Sequence, residues 1–144
     1  MEAPLSRSLV LVGFMGAGKS AAARELARLL GCVAQDSDAV FEARAGEPVE
    51  AFFDREGEAA FRAREEQIVL ELLAGPDAVI SLGGGALGSA RVRDALDEHV
   101  TVLIEVEPDV AWARAAGRGR PLARDRAAFD ALFAAREPIG WKPR

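Results

Sequence analysis

The segment that most constrains the fold of this chain is residues 13–20, GFMGAGKS, which follows the apolar run SLVLV at residues 8–12. It matches the pattern G-x-x-x-x-G-K-[ST], and a helical pattern follows it, as this motif requires. In such a loop the glycines let the backbone curl so that its N–H groups surround phosphate oxygens, and the following helix adds partial positive charge. The sequence therefore predicts a phosphate-binding loop, with a chance glycine-rich turn as the alternative.

Two side chains at the end of this loop carry its chemistry. Lys19 is expected to reach the β- and γ-phosphates of a nucleotide, and the Ser20 hydroxyl is expected to ligate Mg²⁺. The expected nucleotide-binding residues here are Gly16, Ala17, Gly18, Lys19, Ser20 and Ala21. ATP is thus the expected co-substrate and Mg²⁺ the expected cofactor.

The order of apolar segments predicts an α/β fold with a parallel sheet, because β-rich runs alternate with helical patterns. The β-rich runs are residues 8–12, 32–35, 78–82 and 100–105, and the helical patterns are residues 19–30 and 57–73. The third and fourth runs are apolar along most of their length, which is typical of strands buried on both faces. At 144 residues, a single domain spanning residues 1–144 is expected.

The charge balance bears on possible partners. The net charge is −5, whereas nucleic acids and membrane surfaces call for a broad basic face, so neither is an expected partner. Cys32 is the single cysteine, which excludes an intramolecular disulfide. The N-terminus lacks a signal-peptide pattern, and no apolar run approaches the roughly 20 residues that span a bilayer. A cytoplasmic location is expected.

Two carboxylates, Asp36 and Asp38, follow the second predicted strand. In an extended segment their side chains would project to the same side, at the carboxyl edge of the sheet where ligands bind. One could hold Mg²⁺ through water while the other accepts a hydrogen bond from a substrate hydroxyl and acts as its base. A turn with a helix N-cap is the alternative.

Two further features flank this region. Arg62 lies one helical turn from both Glu58 and Glu65, a spacing that by itself indicates only exposed salt bridges. Three glycines at residues 83–85 follow the third strand, and such a run favours close approach of another group to the backbone. A flexible turn is the alternative for the glycine run.

Four arginines, Arg114, Arg118, Arg120 and Arg136, bracket a Gly-, Arg- and Pro-rich loop at about residues 115–125. Helices are predicted on either side of the loop, at residues 109–115 and 125–136. A guanidinium on a closing loop suits carboxylates and transferring phosphoryl groups. The alternative is a solvated basic loop or an RNA-binding fragment.

Several of these motifs together resemble the shikimate kinase family over roughly residues 9–138. The matching segments are GFMGAGKS, DSD at 36–38, FFDREGEAAFR at 52–62, ISLGGG at 80–85 and RPL at 120–122. The resemblance implies a P-loop NTPase-like, three-layer α/β/α fold with a substrate-binding helical region at about residues 37–65 and a lid at about 115–125. It implies transfer of the ATP γ-phosphoryl group to the 3-hydroxyl of shikimate, in aromatic amino acid biosynthesis.

The resemblance also implies residue roles. The shikimate contacts would be Asp38, Arg62, Gly83, Gly84, Gly85 and Arg136. Shikimate carries a carboxylate and three hydroxyls, which suits two arginines for the acid and Asp38 for the hydroxyls and as base.

For the nucleotide, the resemblance implies that Ser20 and Asp36 serve Mg²⁺ and that Arg114 lies near the adenine. Lys19 and the lid residue Arg120 would neutralise charge on the transferring phosphoryl group, beside Asp38. The expected partners are the small molecules shikimate and ATP, and a monomer is expected.

Family members usually continue beyond the point where this sequence ends, so the C-terminal strand and helix are expected to be missing. Weaker ATP binding or lower stability than in a longer relative would follow. Two alternatives stay open: another small-metabolite P-loop kinase, such as a gluconate or nucleoside monophosphate kinase, or a nucleotide-binding domain with impaired catalysis.

Overall fold

The computed structural model describes residues 7–13 and 18–104. Within these ranges strands and helices alternate along the chain. The strands are β1 (Leu9–Val12), β2 (Ala34–Asp36), β3 (Val79–Ser81) and β4 (Val100–Leu103). The helices are α1 (Lys19–Leu30), α2 (Ser37–Ala45), α3 (Val49–Glu56), α4 (Glu58–Ala74) and α5 (Ala90–Leu96), and a 3-10 turn spans Ala86–Gly88.

The sheet of the described residues is parallel, with the strand order β2-β3-β1-β4. Leu9 of β1 pairs with Val79 of β3 on one side and with Val100 of β4 on the other. Parallel neighbours need crossover connections, which the helices supply. The carboxyl ends of the strands therefore meet at one edge of the sheet, where Asp36 of β2 pairs with Ser81 of β3.

Helices cover both faces of this sheet, because successive side chains of a strand point to opposite faces. Val10 and Val12 of β1 belong to the larger apolar cluster, which includes side chains of α2, α3, α4 and α5. Leu11 belongs to a second cluster on the other face, with Ala23 and Ala27 of α1. The predicted three-layer α/β/α architecture is confirmed.

Three phenylalanines hold α2, α3 and α4 together. The ring of Phe41 on α2 meets that of Phe52 on α3 edge-on, with 4.9 Å between centroids, and lies 5.1 Å from that of Phe61 on α4. All three side chains are buried in the larger cluster. Aromatic pairs in these geometries add stability beyond the area they bury. The segment predicted to be helical at about residues 37–65 is thus a packed helical unit beside the sheet.

The structure corrects some of the predicted elements. α1 has the predicted bounds, and α4 begins and ends one residue later than predicted. α5 was not predicted. The fourth predicted strand is not buried on both faces, since Val100 and Val102 are exposed in β4. Among the described strands β4 lies at the border of the sheet, paired with β1.

Several predicted features lie outside the described residues. These are the helices at residues 109–115 and 125–136, the loop at 115–125 and the C-terminal segment. Over the part of the chain that the structure describes, no helix combines the length and apolar character needed to cross a bilayer.

Candidate active site

The end of the predicted phosphate-binding loop leads directly into α1. Gly18 caps the helix in a left-handed conformation, with φ 91° and ψ 21°, which a residue with a side chain rarely adopts. The Lys19 ammonium is largely buried and donates a hydrogen bond to the carbonyl oxygen of Gly13, with Nζ and oxygen 2.7 Å apart. This bond joins the two ends of the loop, and Ala21 follows in the first turn of the helix. Gly16 and Ala17 lie outside the described residues.

Asp36 connects α1 to the carboxyl edge of the sheet. Its Oδ2 accepts a hydrogen bond from the Ser20 hydroxyl and a second from Ser81 Oγ, 3.2 Å away. Its Oδ1 accepts from the backbone N–H groups of Asp38 and Ala39, at 2.9 and 3.2 Å. One carboxylate thereby ties α1, β2, α2 and β3 together.

The expectation that Asp36 and Asp38 stand at alternate positions of an extended segment is wrong. Asp36 ends β2 and is the N-cap of α2, so Asp38 lies in the first turn of that helix. The physical reason is the capping itself, because the Asp36 carboxylate satisfies two N–H groups that would otherwise lack a partner at the helix start. The N-cap alternative is therefore correct. Both residues nevertheless lie at the carboxyl edge of the sheet, as expected.

The donor set around Asp36 fits a magnesium ion. Ser20 gives its hydroxyl hydrogen to Asp36, which leaves the oxygen lone pairs for a cation. Within the described ranges, no group of three or more His, Cys, Asp and Glu side chains could hold a metal. Mg²⁺ suits such a site, because it keeps several waters and takes oxygens from phosphates rather than from an all-protein cage.

Arg62 on α4 points to the same edge of the sheet. Its Nη1 donates to Glu65 Oε1 at 2.7 Å, and its Nε lies 3.9 Å from Glu58 Oε1. The Glu58 side chain is 60% exposed and matches the expected surface pair, whereas the Glu65 side chain is only 6% exposed. The guanidinium also lies over the Phe61 ring, 5.0 Å from its centroid. Arg62 is therefore held from several sides rather than being a solvated surface arginine.

The glycine run lets these side chains come close to the backbone, as predicted. A Cβ at Gly83 would lie 2.8 Å from Glu65 Oε2 and 2.9 Å from Asp38 Oδ1. A Cβ at Gly85 would lie 2.5 Å from both Cζ and Nη2 of Arg62. Such distances do not occur between real atoms, so side chains at these positions would displace the neighbouring groups. The flexible-turn alternative does not explain this packing.

These contacts connect the predicted site residues that the structure describes. Ser20 touches Asp36, the Asp36 carboxylate caps the helix that carries Asp38, and Asp38 lies against Gly83. The run of residues 83–85, with Gly84 at its centre, then reaches Arg62. Arg114, Arg120 and Arg136 lie outside the described residues.

Sequence reasoning missed Glu65, Ser37 and Ser81 as parts of this edge. All three are buried polar residues, and each bonds to or packs against a predicted site residue. Their burial depends on how α4, α2 and β3 come together, which local spacing does not reveal. Their positions in the sequence could have indicated two of them, since Ser37 lies between two site carboxylates and Ser81 precedes the glycine run.

Comparison with known protein families gives a consistent result. The family model for shikimate kinase matches residues 15–140. A shikimate kinase of Ruegeria pomeroyi is 42% identical over 142 residues, which are 95% of this chain and 73% of the relative. A shikimate kinase of Mycobacterium marinum is 44% identical over 134 residues, 90% of this chain and 73% of the relative.

Solved structures agree in fold. A shikimate kinase of Acinetobacter baumannii in complex with shikimate superposes with a TM-score of 0.87 at 33% identity, covering 92% of this chain and 76% of the other. The Aquifex aeolicus shikimate kinase gives a TM-score of 0.78 at 30% identity, covering 92% and 80%. A gluconokinase of Sinorhizobium meliloti has a TM-score of 0.57 at 17% identity, which shows only a shared fold. Together with Ser20, Asp36, Asp38 and Arg62 at one sheet edge, these matches show that the chain belongs to the shikimate kinase family.

Proposed function

We propose that this chain transfers the γ-phosphoryl group of ATP to the 3-hydroxyl of shikimate, giving shikimate 3-phosphate and ADP on the route to aromatic amino acids. The observation that carries the proposal is the chain of contacts from Ser20 through Asp36 and Asp38 to Arg62. In this proposal the loop that ends at Ser20 would bind the phosphates, while the Asp38 carboxylate and the Arg62 guanidinium would face the acceptor. Phosphoryl transfer depends mostly on such positioning and on charge neutralisation.

The acceptor side of the site suits a hydroxy acid. Arg62 has five N–H donors, so it can bind a carboxylate after giving one hydrogen bond to Glu65. Asp38, which lies against Gly83, would accept a hydrogen bond from the reacting hydroxyl and take its proton. The proposed shikimate contacts are Asp38, Arg62, Gly83, Gly84, Gly85 and Arg136.

The nucleotide side of the site suits a triphosphate. Residues 16–21 would surround the phosphates, with the Lys19 ammonium at the β- and γ-phosphates. In the present structure that ammonium bonds to the Gly13 carbonyl, so it exchanges this partner for phosphate oxygens when ATP binds. Ser20 and Asp36 would hold Mg²⁺, which neutralises charge on the phosphates when bound. Arg114 would lie near the adenine, and the lid residue Arg120 would neutralise charge on the transferring phosphoryl group.

The proposed setting is the cytoplasm, where the thiol of the single cysteine, Cys32, stays reduced and ATP is present. The partners that we propose are small molecules only, and the proposed active unit is a monomer with one kinase domain.

Coupled ADP release with shikimate as the acceptor tests this function. The wild-type chain should release ADP only when shikimate is present, and gluconate or a nucleoside monophosphate should not replace it. Turnover of either substitute in preference to shikimate would reject the assignment in favour of another small-metabolite kinase. ATP binding without turnover of any acceptor would favour a catalytically impaired nucleotide-binding domain.

A matched pair of arginines on α4 sharpens the test. Arg62→Ala should raise the KM for shikimate about 10- to 100-fold, because a charge-assisted bidentate contact is lost. Arg64→Ala, two residues along the same helix, removes an exposed guanidinium that lies over Phe52 and should leave this KM within about twofold. If Arg62→Ala changed the KM for shikimate as little as Arg64→Ala does, Arg62 would not contact the substrate.

A further inference from the structure

Ser37 is a buried hydroxyl at the candidate site to which no role has yet been given. It is the first residue of α2, between Asp36 and Asp38, and only 2% of it is exposed to solvent. Its Oγ accepts a hydrogen bond from the backbone N–H of Gly83, 2.9 Å away. The start of α2 is thus bonded directly to the first residue of the glycine run.

The bonded glycine is also the one that Asp38 touches. A Cβ on Gly83 would lie 2.9 Å from Asp38 Oδ1, so the backbone here and that carboxylate are in close contact. Ser37 and Asp38 are neighbours on one rigid helical turn. The hydrogen bond that the Gly83 amide donates to Ser37 Oγ therefore fixes how far the glycine run stands from the Asp38 carboxylate.

A second buried serine makes the same kind of bond at the opposite end of β3. Ser8 is fully buried, and its Oγ accepts a hydrogen bond from the backbone N–H of Ala78, 3.1 Å away. Ala78 precedes β3, whereas Gly83 follows it. The two serines differ chiefly in position, because the bond to Ser37 lies at the carboxyl edge with the site residues and the bond to Ser8 lies at the far edge.

We infer that Ser37 is a positioning residue for phosphoryl transfer, which holds the amide of Gly83, and with it the glycine run, at a fixed distance from the Asp38 carboxylate. This inference rests on the proposed function, in which both elements meet the acceptor hydroxyl. Removing the hydroxyl would leave the partly buried Gly83 N–H without its partner and would let the glycine run shift. A displacement of about 1 Å near reacting groups is enough to slow catalysis by about 100-fold.

The test compares Ser37→Ala with Ser8→Ala in the full chain. Both substitutions remove a buried hydroxyl that accepts a hydrogen bond from a backbone N–H. Both should therefore lower the melting temperature by similar amounts. Ser37→Ala should lower kcat with shikimate about 10- to 100-fold, with a smaller change in KM, whereas Ser8→Ala should keep kcat within about twofold. Ser37→Thr retains the hydroxyl and should recover most of the lost kcat.

Hydrogen exchange of the backbone amides gives a readout that does not depend on turnover. Exchange at residues 83–85 should become about tenfold faster in Ser37→Ala and stay as in the wild type in Ser8→Ala. Two results would overturn the inference: a kcat for a folded Ser37→Ala equal to that of Ser8→Ala, or unchanged protection of residues 83–85. A wild-type chain inactive on shikimate contradicts the proposed function instead, and the exchange result then decides whether Ser37 holds the glycine run.

Discussion

Glu65 holds the guanidinium of Arg62 in place from within the same helix. Arg62 Nη1 donates to Glu65 Oε1 at 2.7 Å, and the Glu65 side chain is almost fully removed from solvent. The second oxygen of this carboxylate faces Gly83, where a Cβ would come within 2.8 Å of it. One buried carboxylate therefore fixes the direction of Arg62 and packs against the glycine run.

The first prediction concerns this pair. Glu65→Gln keeps the shape of the side chain and one acceptor oxygen but removes the negative charge that faces the partly buried Arg62 guanidinium. We expect the free energy of unfolding to fall by about 1–3 kcal/mol, and the KM for shikimate to rise about tenfold as the guanidinium reorients. Urea unfolding and steady-state kinetics measure the two effects.

The control for Glu65 is Glu58, which pairs with the same arginine at 3.9 Å through an exposed side chain. Glu58→Gln should change stability by less than about 0.5 kcal/mol, because exposed helical ion pairs contribute little. If the two substitutions raised KM equally, the burial of Glu65 would have no bearing on Arg62.

The second prediction concerns Gly85. An added methyl group would overlap the Arg62 guanidinium, which is the far end of a long side chain and would have to give up its present contacts to make room. Gly85→Ala should therefore fold, with weaker shikimate binding by about tenfold or more. Calorimetric titration with shikimate measures this. Gly88→Ala is the matched control, since a Cβ at Gly88 meets nothing within 4 Å, and its shikimate affinity should equal that of the wild type.

The third prediction separates the two roles of Asp36. Asp36→Asn retains one side-chain oxygen for the cap of α2, but it removes the charge and puts an NH₂ donor where Oδ2 accepts from Ser20 and Ser81. We expect turnover to fall about 100-fold or more and to need higher Mg²⁺ concentrations. Asp36→Ala should in addition lower stability by about 1 kcal/mol through loss of the cap.

Ser89 provides the capping control for Asp36. Its Oγ caps α5 by accepting a hydrogen bond from Val92 N at 3.2 Å, and it donates to Glu66 Oε2 at 2.7 Å. Ser89→Ala should cost about 1 kcal/mol of stability and leave the Mg²⁺ dependence of turnover unchanged. A normal Mg²⁺ dependence in Asp36→Asn would remove this carboxylate from the metal site.

Elements with a strong local signal could be predicted from the sequence. The motif at residues 13–20 fixes both the strand before it and the helix after it, and α1 has the predicted bounds. The close approach at residues 83–85 could also be predicted, because consecutive glycines after a buried strand have little other use. Such features depend on neighbouring residues alone.

Features that depend on tertiary packing could not be predicted. The spacing of Arg62 and Glu65 is that of a surface pair, and only the packing of α4 against the glycine run buries the carboxylate. The start of α2 at Asp36 was only the alternative prediction, because the run of residues before it favours an extended segment that continues to Asp38. Ser37 gives no local signal, since its partner Gly83 is 46 residues away along the chain.

The most direct measurement of the central claim is the identity of the phosphorylated product. Wild-type chain, ATP, Mg²⁺ and shikimate are incubated together, and phosphorus NMR identifies the acceptor atom. The account predicts shikimate 3-phosphate in an amount equal to the ADP formed, and almost none with Lys19→Ala. ADP formed without a phosphorylated acceptor, or phosphate on a different hydroxyl of shikimate, would contradict it.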